Sequence, residues 1–420
     1  MRSLLATLAL SGVLVACDTT TDSPVDTPDD DEPAVEDTRP TVTSSDDLAG
    51  LTGRTFSAAL LPDLSVSTGY GSSAGYGAPE FSAPGSVLYG SGLWLSGRQD
   101  GAARVAIERY GTSSFGPCDD TPNVVYSVDA DTTYSPDGWP VEAGAPTDEE
   151  GQPRAYGDQM AWVPTCTRDS GEITGHTLAG VRVNAALFGY EDTGDVIYVR
   201  YEIRNERGGP ISDAYAGFWA DADLTSGDFG PRANLIGFDR EAGIGYVYMA
   251  ELDGTREIPA SSRGAVAGVT VLQSPGAAPV AAYRIMDNHG DAYGEGLAET
   301  PDGAAYALRG LSNLGDPMID PTTGEASRFA YTGDPAAGTG WLDGFDGCGN
   351  SCVEGQQMGE DVRQLTSVGP FSLGAGESTV FTIAYVYQAR ADLEAGLTGL
   401  RRSIQEIRDA PSRWRFPTAE

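Results

Sequence analysis

Asp195-Val-Ile-Tyr-Val-Arg-Tyr-Glu-Ile-Arg-Asn205 alternates from end to end. Ile197, Val199, Tyr201 and Ile203 fall on one side, and Tyr198, Arg200, Glu202 and Arg204 on the other. Successive side chains of an extended backbone point to opposite faces, so this spacing predicts a strand with one apolar and one polar face. Gly208-Gly209-Pro210 ends it. Residues 380–388 repeat the pattern, with Phe381, Ile383, Tyr385 and Tyr387 on one face. Further strands are expected at 87–96, 103–110, 123–128, 178–190, 214–222, 244–251 and 265–272, separated by Gly, Pro and Asp clusters. Many short strands between turns read as an all-β fold, an antiparallel β-sandwich over residues 48–390. One large sandwich and two packed lobes both fit. A single helix is expected in residues 391–420, where Leu393, Leu397, Leu400, Ile404 and Ile407 form one apolar stripe that Pro411 stops.

The first residues carry a different message. Arg2 precedes an apolar run of about a dozen residues, and Ala16 offers a small side chain before Cys17. Such a core is too short to span a bilayer and suits a secretory signal. Leu14-Val-Ala-Cys17 resembles the bacterial lipobox, which implies cleavage of residues 1–16 and lipid, palmitate included, on Cys17. Residues 17–47 are rich in Asp, Thr, Pro and Ser, with Arg39 as the one cation. A stretch with so little apolar surface cannot offset its ordering entropy, so it reads as a disordered acidic tether. The expected address is the cell envelope: the outer membrane or cell surface, with the inner membrane as the alternative.

Composition narrows the function. The formal net charge is -35, and all 26 basic residues are Arg. That balance excludes a general nucleic-acid binder, which needs a basic face. It also removes Schiff-base and phosphate-cradling lysines. Beyond Cys17, four cysteines remain in an exported chain, which reads as two disulfides with three possible pairings. Proximity favours Cys118–Cys166 and Cys348–Cys352. A zinc site is the weaker reading, because His176 and His289 are the only imidazoles and neither has ligand spacing.

The most specific acidic feature is Asp221, Asp223, Asp228, Asn234 and Asp239, which follows the strand-like 215–219. Carboxylates this close repel unless neutralised, and Ca²⁺ takes six to eight such oxygens, so the set is the expected calcium site. Asp343, Asp346 and Asn350 form a second oxygen-rich turn, where ordinary turn formation is the better reading. Gly71-Ser-Ser-Ala-Gly75 matches a nucleophile-elbow pattern, but it lacks the strand before and the helix after that the motif requires. Trp94, Trp139, Trp162, Trp219 and Trp341 are more often core than sugar platforms.

Several strings carry a resemblance when taken in order: Ser91-Gly-Leu-Trp94-Leu-Ser-Gly97, Tyr156-Gly-Asp-Gln159, Asp213-Ala-Tyr215-Ala-Gly217, Gly237-Phe-Asp239, Gly338-Thr-Gly-Trp341 and Val368-Gly-Pro-Phe371. They resemble large secreted β-rich proteins of Bacteroidetes and related phyla, many with a C-terminal type IX secretion sorting domain that this chain lacks. The resemblance implies a secreted or surface protein and no known reaction. The expected function is a lipid-anchored, non-enzymatic surface protein in adhesion, envelope structure or capture of a glycan or protein ligand. The alternatives are a carbohydrate-binding module and a secreted hydrolase of polysaccharide or peptide.

Overall fold

Strand Val196–Asn205 is hydrogen-bonded on both sides, to Val181–Gly189 and to Ser378–Arg390, antiparallel in each case. The computed structural model describes residues 38–46, 48–51, 56–70, 86–108, 113–170, 175–224, 234–249, 264–277, 280–287, 300–344 and 362–417. From the central strand a ten-stranded sheet extends both ways. One side runs through Val181–Gly189, Gln159–Thr167 and Val125–Asp129 to Thr43–Ser45. The other runs through Ser378–Arg390, Gly264–Gln273 and Ile244–Met249 to Asn234–Asp239. A second sheet of eight strands has Ile211–Ala222 between Val362–Leu373 and Ser86–Gln99. The two sheets share one apolar core, to which Ile197, Val199, Tyr201 and Ile203 contribute with Phe218 and Phe381. The expected all-β sandwich is what forms, and residues Arg39–Glu420 make one compact unit rather than two lobes.

The other face of the central strand is less polar than its alternation suggests. Tyr198 and Arg200 are buried, and only toward Glu202 and Arg204 does the face open. The reason is a second core on the outside of the first sheet. Helix Leu393–Asp409 lies there, with Leu397, Leu400, Ile404 and Ile407 packed against Ile244, Tyr246, Val266 and Val386. Asp392 caps it, accepting the Ala395 N–H at 2.8 Å. Gly396 allows the close approach, since a Cβ there would lie 2.6 Å from the Gly264 carbonyl oxygen. After Pro411 the tail continues across the sheet, where Phe416 stacks on Tyr156 at 4.3 Å. The second sheet is covered in the same way by helix Pro301–Ala307, which the sequence pattern did not predict.

The folded unit begins earlier than residue 48. Thr43–Ser45 pairs with residues 125–127, and the Pro40 carbonyl accepts the Ser135 N–H, so the last residues of the expected tether belong to the sheet. Cys17 and the other tether residues up to 37 lie outside the described residues.

One carboxyl is enclosed completely. Glu108 sits over Gly92, where any Cβ would lie 2.1 Å from its Oε2. Trp219 Nε1 donates to Oε2 and Ser65 Oγ to Oε1, both at 2.7 Å. Burial, helped by the charge of Asp63, raises its pKa from 4.5 to about 8 despite those two donors. The folded chain therefore keeps this proton over a range where the unfolded chain has lost it. Stability from this group is complete below the unfolded value and falls as pH rises toward about 8, by ~1.4 kcal/mol per pH unit. Glu108→Gln, which mimics the protonated group, should flatten that slope. Urea midpoints of the two chains between pH 5 and 8 check this, and parallel curves would mean that Glu108 titrates normally.

Candidate functional site

The acidic set proposed for calcium does not converge among its described members. Asp221 is buried on strand Ile211–Ala222, with Arg363 Nη2 at 3.4 Å from its Oδ2. Asn234 and Asp239 stand at opposite ends of a strand, not in a turn. Asn234 Oδ1 accepts the Leu224 N–H at 3.2 Å. Asp239 accepts the Glu241 and Ala242 N–H groups on Oδ1 and Arg401 Nε on Oδ2. Burial would raise its pKa, but the Ala242 N–H and Arg401 together hold it below the usual range. Asp223 follows the strand, its N–H donating to Val87 O, and Asp228 lies outside the described residues. Among the described residues no group of three or more Asp, Glu, His or Cys is placed to hold a metal. Asp343, from the second oxygen-rich turn, instead accepts the Ile236 N–H at 2.8 Å. There it covers the free edge of the end strand, a position otherwise open to pairing with another chain.

Among the described residues a concavity lies elsewhere, on the outer face of the first sheet where the cover of helix and tail stops. It is a cleft of about 510 Å³ with a floor of Arg182, Asn184, Glu202, Arg204 and Ser378. Register explains the floor: Arg182 stands beside Arg204, Asn184 beside Glu202, and Arg204 beside Ser378, so alternate residues of three strands project together. The walls are Asp120, Glu206 and the segment 141–144.

A disulfide fixes one wall. Cys118 and Cys166 are bonded, as proximity suggested, and Cys166 is the register partner of Arg182. The bond thus delivers Asp120, two residues on, to the guanidinium of Arg182. Nη2 donates to both Asp120 oxygens at 2.8 and 2.9 Å, while Nε donates to Glu206 at 2.7 Å. Hydrogen bonding from Arg182 holds the exposed Asp120 carboxyl below the usual range. Arg200 is occupied too, donating to Glu202 at 2.9 Å and to the Pro417 carbonyl. Arg204 and Glu142 are different: both line the cleft, and neither has a side-chain partner among the described residues. On the floor, Asn184 Nδ2 donates to Ala143 O at 2.7 Å, whereas its buried Oδ1 accepts from no protein group.

The remaining nominated residues fall away from this cleft. All five tryptophans weighed as sugar platforms, and the sixth, Trp414, are buried, so none presents a ring to a ligand. This corrects the stacking version of the carbohydrate reading; the indoles of Trp94 and Trp139 are spent on the Glu108 and Pro146 carbonyls. His176 is exposed, while His289, Ser73, Cys348 and Cys352 lie outside the described residues. The cleft left a faint trace in the sequence. Arg182 and Asn184, like Glu202, Arg204 and Glu206, are polar residues at strand spacing with a half-cystine nearby.

No protein-family model and no curated protein matches the chain. Two solved structures provisionally named aldose 1-epimerases align with it. One, from Escherichia coli K12, is 8% identical with a TM-score of 0.30 over 83% of this chain and 100% of the other. The second, from Klebsiella pneumoniae subsp. pneumoniae MGH 78578, is 8% identical with a TM-score of 0.32 over 87% of each. Similarity at that level carries no argument about chemistry.

The Asp221–Arg363 pair makes a test of the metal possible. This buried ion pair contributes to the fold whether or not a metal is present, and weakening it is destabilising. Asp221→Asn should lower the melting temperature equally in EDTA and in millimolar Ca²⁺. A deficit that appears only with Ca²⁺ would return Asp221 to a metal site.

Proposed function

We propose that this chain is an exported lipoprotein, held to the outer membrane or cell surface through lipid on Cys17, whose sandwich captures a small polar ligand in the cleft. The observation that carries the reading is the pair Arg204 and Glu142, which line one cleft without a side-chain partner among the described residues. Asn184 lies on the floor between them. Clefts of a few hundred cubic ångströms with a few convergent polar groups are the usual form of small-ligand sites. The anchor rests on the run Leu14-Val-Ala-Cys17. A glycan ligand would have no ring to stack on, since no aromatic side chain among the described residues lines the cleft.

Arg204 is exposed and has no side-chain partner among the described residues, so Arg204→Ala should change stability by less than about 0.5 kcal/mol. The same variant should lose most of the small-molecule material that the full-length chain retains from growth medium, measured by mass spectrometry after release. Equal retention by both chains would end the reading. In parallel, Cys17→Ser should abolish incorporation of radiolabelled palmitate in cells; undiminished label would remove the anchor.

A further inference from the structure

The geometry points to a zwitterion, an α-amino acid or short peptide, as the ligand of this cleft, an inference that rests on the capture reading above. The charges lining the cleft are already matched in part. Arg182 is bonded to Asp120 and Glu206, and Glu202 to Arg200. That leaves one cation, Arg204, and one anion, Glu142, without a side-chain partner among the described residues, both facing the same space. A ligand that brings one charge of each sign matches both.

Other ligand classes each leave a group unmet. A uronate or another simple anion would pair with Arg204, but it would bring negative charge to Glu142 beside three more carboxylates. A polyamine would satisfy Glu142 and oppose Arg204. A neutral sugar would give both charges only hydroxyl groups, and it would find no ring to stack on. In a zwitterion the carboxylate takes the planar fork of Arg204, the geometry that guanidinium binds best. The ammonium lies toward Glu142. The sequence fits the scheme in one further respect: with no Lys in the chain, every side-chain cation is a guanidinium or an imidazole.

The test uses the full-length chain purified in detergent, with a random dipeptide library, its N-acetylated form and its C-amidated form as probes, read by the rise in melting temperature. A monosaccharide and uronate set is run beside them. The free library should stabilise the chain, and each blocked form should bind roughly tenfold more weakly or worse, the loss expected for one charge-assisted contact. Arg204→Gln should erase the difference between free and amidated libraries, and Glu142→Gln the difference between free and acetylated ones. Blocked libraries that bind as well as the free one would overturn the zwitterion. So would binding of sugars alone, or of no probe, and if Arg204-dependent retention from growth medium persisted, the capture reading would stand. Silence from every probe together with equal retention by the Arg204→Ala chain would overturn both.

Discussion

A strand hydrogen-bonded on both edges still presents two rows of side chains, and each row needs either a cover or water. Most of the molecule follows from how the first sheet meets that constraint. Its inner rows meet the second sheet. Its outer rows are mostly apolar where helix Leu393–Asp409 and the tail lie on them, with Tyr198, Tyr246 and Val386 as examples. Where the cover ends, the same strands change to Arg182, Asn184, Glu202 and Arg204. The cleft is therefore not a loop feature. It is the uncovered end of a sheet whose other end is sealed, and its floor has the rigidity of three paired strands.

The wall opposite that floor depends on a covalent link. Asp120 and Arg182 are far apart in sequence, and an exposed ion pair on its own contributes little. The Cys118–Cys166 bond removes that difficulty, because it places residues 118 and 182 against the same position of strand Gln159–Thr167. Oxidising conditions, such as those of the proposed location outside the cytoplasm, are the conditions in which such a wall persists. The strongly negative chain as a whole also favours a ligand without net charge over an anion.

Much of this was legible in the sequence, and the rest was hidden for identifiable reasons. Period-two alternation at 195–205 and 380–388 marked the two adjacent strands at the heart of the first sheet, and the four-three spacing of Leu393 to Ile407 marked the helix. Strand Gln159–Thr167 was missed because Pro164 argues against an interior strand. It is tolerated in the gap between the partners of Trp162 and Cys166, where no ladder donor is needed. Strand Asn234–Asp239 was read as part of an acidic turn, since carboxylate spacing looks the same whether the oxygens meet a metal, a backbone N–H or an arginine. What decides is the partner, and Arg363 and Arg401 lie more than a hundred residues away in sequence. The cleft was illegible for the same reason: its floor comes from register between strands, which no local pattern contains.

The measurement that bears most directly on the central claim is hydrogen–deuterium exchange of the full-length chain, with and without the saturating dipeptide library. The account predicts slower exchange in peptides covering 141–144 and 202–206, with the face under helix Leu393–Asp409 unchanged. Protection confined to other parts of the sandwich, or none at any concentration, would contradict it.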